Sequence, residues 1–405
     1  MLLNECDEPD LSADSAAVAR GISDEERYSR QVLFAGIGAE GQRRLAASHV
    51  AIVGCGALGA AAASLLARAG VGTLTLIDRD FVEPSNLQRQ MLFDEADALA
   101  GLPKAEAARR QIARFNSAVQ VHARIFDLVP GNIPELIPGS QSAENRQHPS
   151  PASLNAKPVD LILDATDNFE TRYLLNDYAV QQGIPWIYAA AIGAYAATMN
   201  ILPRAAEGDN RVPCSLFPVP CLPTACLACI FPKPPTGNVE TCDTAGILST
   251  SVNLAASIQA TEALKLLTGQ PHLMRRTLVS FELWTPAAGM TLERSEIAAG
   301  VPRPGCEVCG QRVFTHLAGE NRAHITLCGR DSVQIHEHHR PVDFSALRSR
   351  LSANADISDL RSNDLLLRFR RGPYTVTVFA DGRAIVQGTT DISVARTLYA
   401  RFIGA

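Results

Sequence analysis

A glycine-rich hexapeptide and an acid beyond it are the first residues whose types and spacing could do chemistry. GCGALG lies between a short apolar run and an Ala/Leu-rich helical segment. Gly54 permits a tight turn, Gly56 lets the backbone approach a phosphate, and Gly59 allows close helix packing. Asp78 ends the next apolar run, where an acid commonly binds a ribose hydroxyl. These four residues predict a nucleotide site, and the alternative is a tight turn without a ligand.

A denser set of polar and charged side chains follows that acid. IDRDFVEPSNLQRQ and the later GLPKAE supply five of them, namely Asp80, Asn86, Arg89, Gln90 and Lys104. Backbone groups largely hold the pyrophosphate of a dinucleotide, whereas a nucleoside triphosphate carries more charge and needs fixed cations. The set therefore favours a triphosphate over the nicotinamide dinucleotide that such a glycine loop would suggest by default.

Two acids stand past a central apolar run. Asp164 and Asp167 belong to LDATDNFETR, with Asn168 beside the second acid. Open α/β sheets bind ligands outside the carboxyl ends of their strands, so a carboxylate there could hold Mg²⁺ beside a triphosphate. Taken singly, Arg89, Lys104 and Asp167 would more often be surface salt-bridge partners.

Ten cysteines are too dilute for a disulfide scaffold, but five of them have informative positions. Cys226 and Cys229 form one C-x-x-C pair, Cys306 and Cys309 form another, and four thiolates suit tetrahedral Zn²⁺. The pairs lie much farther apart than in a zinc finger, so redox pairs or free thiols remain open. Cys242 precedes a long predicted helix, where a thiol has a lowered pKa and greater nucleophilicity; the alternative is a half-buried structural cysteine.

Alternating segments predict the elements that position these residues. Strands and helices alternate in the order 49–53, 60–69, 73–77, 104–115, 119–123, 159–163, 170–182 and 184–190. Continuous apolar strands between helices indicate a mostly parallel sheet covered on both faces, which is a Rossmann-like, doubly wound α/β fold. After Cys309 the pattern changes to short strands and two helices, which predicts a small separate α/β domain.

The composition of the chain and the positions of its proline and glycine residues limit the possible domain boundaries and protein classes. The 405 residues carry 37 Lys+Arg and 42 Asp+Glu, a net charge of −5 that gives no support for nucleic-acid binding. The acidic start is unlike a signal peptide, so we expect a cytoplasmic protein. The uncharged stretch 184–202 is Ala-rich and broken by Pro185 and Gly193, so two buried strands fit better than a membrane span. The expected regions are a disordered tail (1–25), a main domain (26–310), a mobile insertion (130–158), a Cys-bearing crossover loop (203–243) and a C-terminal domain (316–405).

The motifs together resemble the ThiF/MoeB/HesA family, the bacterial relatives of ubiquitin-activating enzymes. RYSRQVLFAGIGAEGQ, the glycine loop, DRDFVEPSNLQRQ, GLPKAEAA and DATDNFETR occur in the order seen in that family. The resemblance covers roughly 26–309, and SNLQRQ with TDN is highly specific. It implies that ATP activates the C-terminal glycine carboxylate of a ubiquitin-like sulfur carrier with a Gly-Gly tail, with release of pyrophosphate.

The resemblance also implies residue roles. Asp78 would bind the ribose, Asp167 would hold Mg²⁺, and Arg30 of RYSR would reach the triphosphate of the other subunit in a homodimer. The two C-x-x-C pairs would hold a structural Zn²⁺, and Cys242 would form a covalent link to the carrier during sulfur loading. The other residues implied at the ATP site are Gly54, Gly56, Gly59, Asp80, Ser85, Asn86, Leu87, Gln88, Arg89, Gln90, Lys104 and Asn168.

The C-terminal segment bears on the choice of carrier. LCGRDSVQIH and FADGRAIVQGTTDISVARTLYARFIG look like the tail of a ThiF-like subset linked to thiamine thiazole synthesis. That favours a ThiS-type carrier over the MoaD-type carrier of molybdenum cofactor synthesis. The chain shows no rhodanese-like domain, so sulfur would come from a separate sulfurtransferase or cysteine desulfurase. Three further functions are compatible with parts of the pattern: an NAD-dependent oxidoreductase, a tRNA-modifying dehydratase and an inactive scaffold that binds a ubiquitin-like partner.

Overall fold

The computed structural model describes most of the chain. The described residues are 22–139, 157–204, 222–235, 242–285, 291–319, 332–335, 342–363, 366–379 and 382–403. The predicted tail lies outside them up to residue 21. The first helix already begins at Asp24, because the Ser23 hydroxyl caps it by accepting from the Glu26 N–H at 3.2 Å.

An eight-stranded sheet forms the main domain. Its strands are β1 (His49–Val53), β2 (Thr73–Ile77), β3 (Gln120–Arg124), β4 (Leu161–Asp164), β5 (Trp186–Ile192), β6 (Tyr195–Ile201), β7 (Thr277–Glu282) and β8 (Glu293–Ala298). The spatial order is β3-β2-β1-β4-β5-β6-β7-β8. The first five strands are parallel and the last three pair antiparallel. The predicted fold class is therefore confirmed.

Helices cover the sheet. In chain order they are α1 (Asp24–Val32), α2 (Gly38–Ala47), α3 (Ala57–Ala69), α4 (Glu95–Ala100), α5 (Lys104–Phe115), α6 (Ile133–Leu136), α7 (Phe169–Gln182), α8 (Leu227–Ile230), α9 (Cys242–Ala245), α10 (Ser249–Leu267) and α11 (Thr315–Ala318). Short 3₁₀ turns occupy Pro84–Asn86 and Pro271–Leu273. One apolar cluster buries α3, α5 and α10 on one side of the sheet, and a second cluster buries α7 and the cysteine pairs on the other side.

A second sheet forms the C-terminal domain. Its strands are β9 (Ser332–Ile335), β10 (Ser358–Ser362), β11 (Leu366–Arg371), β12 (Tyr374–Phe379) and β13 (Ala384–Gln387), with helices α12 (Phe344–Ser352) and α13 (Ile392–Phe402). The spatial order of the strands is β10-β11-β12-β13-β9, and all neighbours pair antiparallel. The sequence pattern missed β10, because that strand is mostly polar.

The structure bears on two other expectations, for the uncharged stretch 184–202 and for the insertion 130–158. The uncharged stretch 184–202 forms the β5–β6 hairpin turning at Gly193, as expected, and no helix among the described residues is long and apolar enough to cross a membrane. The insertion expected at 130–158 is not wholly a surface segment, because α6 buries Ile133 and Leu136 in the second apolar cluster. Residues 140–156 of that insertion lie outside the described residues.

Candidate functional site

The candidate site begins where two neighbouring strand ends diverge. The chain leaves β1 towards one face of the sheet and β4 towards the other, which makes the gap between them the topological switch point of the sheet. Gly54 has φ +89°, and a Cβ there would come within 2.6 Å of the Ala165 carbonyl oxygen. Only glycine therefore lets the two loops touch, and the contact brings the glycine loop beside DATDN.

The same loop leaves room for a ligand in front of α3. A Cβ on Gly59 would lie 1.8 Å from the Gly54 carbonyl oxygen, so that glycine allows the helix to pack on the turn. A Cβ on Gly56 would meet only the Gln90 amide nitrogen, at 4.0 Å. Gly56 precedes the first turn of α3, which carries no side-chain cap. Uncapped N–H groups facing open space are suited to an anion such as phosphate.

Asp78 is held beside this loop. One carboxylate oxygen accepts from the Cys55 N–H at 2.6 Å and the other from the Asp80 N–H at 2.7 Å. Burial raises the pKa of Asp78, and nearby Lys104 opposes that rise. The acid thus lies at the carboxyl end of β2 as expected, and contact with a ribose stays a prediction.

Lys104 closes the segment that begins at Asp80. Its ammonium lies 3.2 Å from the Asp80 carboxylate, and its backbone N–H donates to the Asp80 carbonyl at 2.9 Å. Only 4% of Lys104 is exposed, so a cation is fixed at the start of α5. A phosphate approaching this ammonium would compete with Asp80 for it.

The residues between these two, 81–103, form what we call the SNLQRQ loop. Asn86 is buried and its side-chain oxygen accepts from the Glu83 N–H at 3.1 Å. Gln90 is 3% exposed, and its buried Oε1 has no hydrogen-bond partner among the described residues. Arg89 donates to the Ser85 carbonyl at 2.8 Å but pairs with no carboxylate in the described part of the chain. A buried amide oxygen without a hydrogen-bond partner and a cation without a carboxylate partner are expected where a polar ligand binds.

The other three residues expected in this loop differ in environment. Ser85 and Gln88 are exposed. Leu87 is half-buried and packs against the apolar cluster under α3 and α5. Its side chain therefore anchors the loop, and any contact of Leu87 with a nucleotide would be through backbone.

The two acids of LDATDNFETR have opposite environments. Asp164 is fully buried, and its carboxylate accepts from Arg172 Nε at 2.9 Å and from the Thr166 hydroxyl at 2.7 Å. It is therefore not open to a metal ion. Asp167 is exposed at the carboxyl end of β4, with no hydrogen bond or salt bridge to any described residue. Asn168 caps α7, because its side-chain oxygen accepts from the Thr171 N–H at 2.8 Å.

Two arginines near this site were missed by the sequence reasoning. Arg172 also donates to the Thr166 carbonyl at 2.6 Å and lies over the Tyr188 ring, so it fixes the DATDN turn from below. Burial lowers the pKa of Arg172, but the neighbouring Asp164 carboxylate raises it, and the net pKa lies above its usual range. Arg79 pairs with Asp127 at 2.9 Å. The available signal was an arginine eight residues after a strand-ending acid and another directly after Asp78.

Arg30 is not brought to this chain's own site. Helix α1 is anchored beside the starts of β2 and β3, where Asn116 donates to the Tyr28 hydroxyl at 2.8 Å and Arg27 donates to the Phe115 carbonyl at 2.6 Å. Those contacts lie at the amino ends of the parallel strands, whereas the glycine loop lies at their carboxyl ends. An exposed Arg30 on α1 therefore points to no role within its own subunit's site.

The two C-x-x-C pairs meet on the opposite side of the sheet from α3. The four sulfur atoms lie within 4.8 Å of one another, with neighbouring pairs 3.4–3.8 Å apart. Tetrahedral coordination at about 2.3 Å would place thiolates about 3.8 Å apart, so the geometry fits a metal. Hydrogen bonds from Cys226 and Cys309 lower the pKa of Cys229, and the same bonding raises that of Cys226.

The expected reactive cysteine is only partly visible. Cys242 begins α9, a helix of four residues, and not the long helix α10 that follows. Its side chain lies outside the described residues, as do Cys214 and Cys221, two other cysteines of the expected crossover loop that could replace Cys242 as the nucleophile. The long helix expected directly after Cys242 begins only at Ser249, and a reactive role of Cys242 stays a prediction.

Comparison with known proteins decides the family. A model of the ThiF family matches residues 28–308. The chain belongs to the ThiF family. Among curated relatives, it is 39% identical over 382 residues to the sulfur carrier protein ThiS adenylyltransferase of Bacillus subtilis, which spans 93% of this chain and 99% of that protein. It is 33% identical over 290 residues to the sulfur carrier protein adenylyltransferase of Thermus thermophilus, covering 70% of this chain and 90% of the relative.

A solved structure shares the fold of this ThiF family member. The crystal structure of E. coli MccB with ATP matches with a TM-score of 0.51 at 22% sequence identity. The match covers 71% of this chain and 75% of MccB. At that identity the likeness concerns the fold alone.

Proposed function

We propose that this chain uses ATP to adenylate the C-terminal glycine of a ubiquitin-like sulfur carrier of the ThiS type. The observation that carries the proposal is the match over 99% of a ThiS adenylyltransferase, which extends through the C-terminal domain. The shorter match to the Thermus relative supports the general reaction without that domain. The proposal makes the chain a nucleotidyltransferase.

In the proposed reaction, a carboxylate oxygen of the carrier's last glycine attacks the α-phosphorus of ATP. The bond to the β-phosphate breaks, and pyrophosphate leaves as the acyl-adenylate forms. Attacker and target are both anionic, so the protein must neutralise charge and hold the leaving group. No protein nucleophile is needed for this step.

The glycine loop and its neighbours would supply that neutralisation. The N–H groups at the start of α3 would face the phosphates, while Lys104 and Arg89 would pair with their oxygens. The Gln90 amide nitrogen would donate to a phosphate oxygen, and its unpartnered Oε1 would accept from a hydroxyl or amino group of the nucleotide. Asp78 would accept from a ribose hydroxyl, and Asp80 would release Lys104 when phosphate binds.

Asp167 is the residue we propose for Mg²⁺. It is the exposed carboxylate beside the glycine loop, and it lacks a protein partner among the described residues, whereas Asp164 is taken by Arg172. Mg²⁺ commonly binds through one or two carboxylates plus substrate phosphates. When bound, it would neutralise charge on the leaving pyrophosphate.

The cysteine cluster would hold one structural Zn²⁺. Four thiolates close the coordination shell, so no position is left for a substrate, and the ion would tie 226–229 to 306–309. The proposed cytoplasmic location suits this site, since reducing conditions keep the thiols out of disulfides.

The decisive experiment is ATP–pyrophosphate exchange by the purified chain with ThiS-type and MoaD-type carriers. We expect exchange that depends on the ThiS-type carrier and on its terminal glycine. Exchange with the MoaD-type carrier alone would reverse the pathway, and exchange with neither would overturn adenylation. A thermal shift with NAD but not with Mg-ATP would favour an oxidoreductase instead.

Sulfur loading would involve Cys242 and a separate sulfurtransferase or cysteine desulfurase. We expect Cys242→Ala to retain pyrophosphate exchange and to lose transfer of sulfur to the carrier. Cys6→Ala, in the acidic start of the chain, is the control and should retain both exchange and sulfur transfer. Loss of exchange in Cys242→Ala would show that the cysteine is structural.

A homodimer with composite sites would explain Arg30. Because α1 lies at the amino ends of the strands, away from its own glycine loop, Arg30 would serve a neighbouring subunit's phosphates. We expect Arg30→Ala and Asp167→Ala to be inactive alone. Mixed and re-equilibrated, the two variants should recover about a quarter of wild-type exchange, since half the dimers are mixed and each has one intact site. No recovery on mixing would contradict the composite site.

A further inference from the structure

The two faces of the C-terminal sheet pack against different parts of the protein. One face packs on α12 and α13 through side chains that include Phe369 and Val376. Because side chains alternate along a strand, the neighbouring positions on β11 and β12 face the other way. That second face lies against the main domain, where Leu366, Phe379 and Ile385 form a buried apolar cluster with Phe81.

Polar contacts join the same face to the main domain. Arg368 lies with its guanidinium 4.5 Å from the centre of the Phe81 ring and 3.9 Å from the Glu83 carboxylate. Asn363 donates to the Ala100 carbonyl at 3.3 Å. Arg383, 4% exposed, donates to the Ile125 carbonyl at 2.5 Å.

Apart from Ile125, the main-domain residues named in these contacts, Phe81, Glu83 and Ala100, lie near the two ends of the SNLQRQ loop. Phe81 forms a bridge with Pro103, and the Val82 N–H donates to the Leu102 carbonyl at 2.8 Å, which closes the loop at its base. Glu83 then starts the 3₁₀ turn and donates its N–H to Asn86. Arg89 and Gln90 follow that turn, and their N–H groups donate to the Asn86 carbonyl at 3.0 and 2.9 Å, so a chain of contacts joins Glu83 to both residues.

We infer that the C-terminal domain is a positioning element for the ATP site, acting through Arg368 on Glu83 and the SNLQRQ loop. The inference rests on the proposed function, since it assumes that Arg89 and Gln90 bind the phosphates. Arg368 is a positioning residue and touches no nucleotide. Its effect is to hold the 3₁₀ turn in the geometry that ATP requires, which lowers the ordering cost on binding.

The test compares Arg368→Met with Arg370→Met in ATP–pyrophosphate exchange. Arg370 points from the same face of β11 two residues on, is exposed, and contacts only the backbone of its own hairpin among the described residues. We expect Arg368→Met to raise the KM for ATP about three- to tenfold with kcat and the KM for the carrier within about twofold, because the pair and the ring contact are each modest. Arg370→Met should resemble wild type.

Two further variants separate positioning from simple docking. Arg368→Lys keeps the charge and should restore most of the ATP affinity, and Glu83→Gln should raise the KM for ATP without adding to the effect of Arg368→Met. If Arg368→Met lowers thermal stability but leaves the KM for ATP unchanged, the domain is only docked and the inference fails. Wild-type protein without exchange would instead refute the proposed function.

Discussion

The cysteine cluster and the candidate nucleotide site at the carboxyl edge of the sheet belong to one domain. They differ in whether their polar atoms have partners within the protein. Each sulfur of the cluster lies within 3.8 Å of another and three of the four cysteines are buried. At the edge, Gln90 Oε1 and the Asp167 carboxylate have no hydrogen-bond partner among the described residues, and Arg89 pairs with no carboxylate there. A buried polar atom without a partner costs free energy unless a ligand binds it. The first region is therefore expected to carry stability and the second to carry activity.

Removing the metal should have the largest effect. Cys229→Ser should lower the zinc content below one per chain and the free energy of unfolding by more than about 4 kcal/mol, since structural zinc contributes on the order of 10 kcal/mol in small domains. Elemental analysis and urea denaturation measure both. Cys55→Ala, a buried cysteine outside the cluster, should keep its zinc. Metal-free wild-type protein of unchanged stability would show that the cluster is a set of thiols.

Breaking the buried ion pair beneath the edge should come next. Arg172→Met leaves the Asp164 carboxylate buried without its cation, which costs about 3–5 kcal/mol. The double variant Asp164→Asn, Arg172→Met removes both charges and should regain at least half of that loss. Urea denaturation gives the free energies. Equal losses of unfolding free energy in the single and double variants would mean that the cost does not come from leaving the Asp164 carboxylate without its cation.

Changing the open acid should spare the fold and remove activity. Asp167→Asn is expected to lower pyrophosphate exchange by about 10²–10³-fold, the scale of losing one charge-stabilising contact in a transition state. The free energy of unfolding should stay within about 0.5 kcal/mol of wild type. Glu170→Gln, an exposed acid in the first turn of α7, is the control and should retain exchange. Unimpaired exchange in Asp167→Asn would move the metal site elsewhere.

Much of this division was predictable from residue types and order. The glycine spacing predicted the turn at Gly54 and the close helix packing at Gly59, because both need a backbone without a Cβ, and both are confirmed by the structure. Alternating strands and helices predicted the doubly wound sheet. The family resemblance was confirmed over 28–308.

The rest depended on three-dimensional pairing that sequence does not encode locally. Asp164 and Asp167 look alike in LDATDNFETR, and only the fold shows that Arg172 takes the first and leaves the second. The docking of the C-terminal sheet on Phe81 joins residues nearly 300 positions apart, so no periodicity could reveal it. Strands such as β10 were missed because an exposed edge strand carries polar side chains on both faces.

Asp177 lies on the same side of the sheet as the cysteine cluster, but not all of its polar atoms are paired. The pH dependence of its stability contribution therefore tests the comparison. Asp177 is fully buried on α7, accepts from the His316 N–H at 2.9 Å and the Leu317 N–H at 3.3 Å, and has one oxygen without a partner among the described residues. Burial raises its pKa from 3.8 to about 6, and the two N–H donors partly oppose the rise. The folded state therefore holds this proton at a pH where the unfolded chain has lost it.

Stability should consequently fall as the pH rises from about 4 to about 6, by up to about 3 kcal/mol at 1.36 kcal/mol per pKa unit. Asp177→Asn keeps an oxygen for both N–H donors and cannot ionise, so the difference in unfolding free energy between variant and wild type should grow across that window and level off above it. Urea denaturation at half-unit pH steps measures the difference. A difference that does not change with pH would mean that the pKa of Asp177 is the same in the folded and unfolded states. The protein interior around α7 would then tolerate the charged carboxylate.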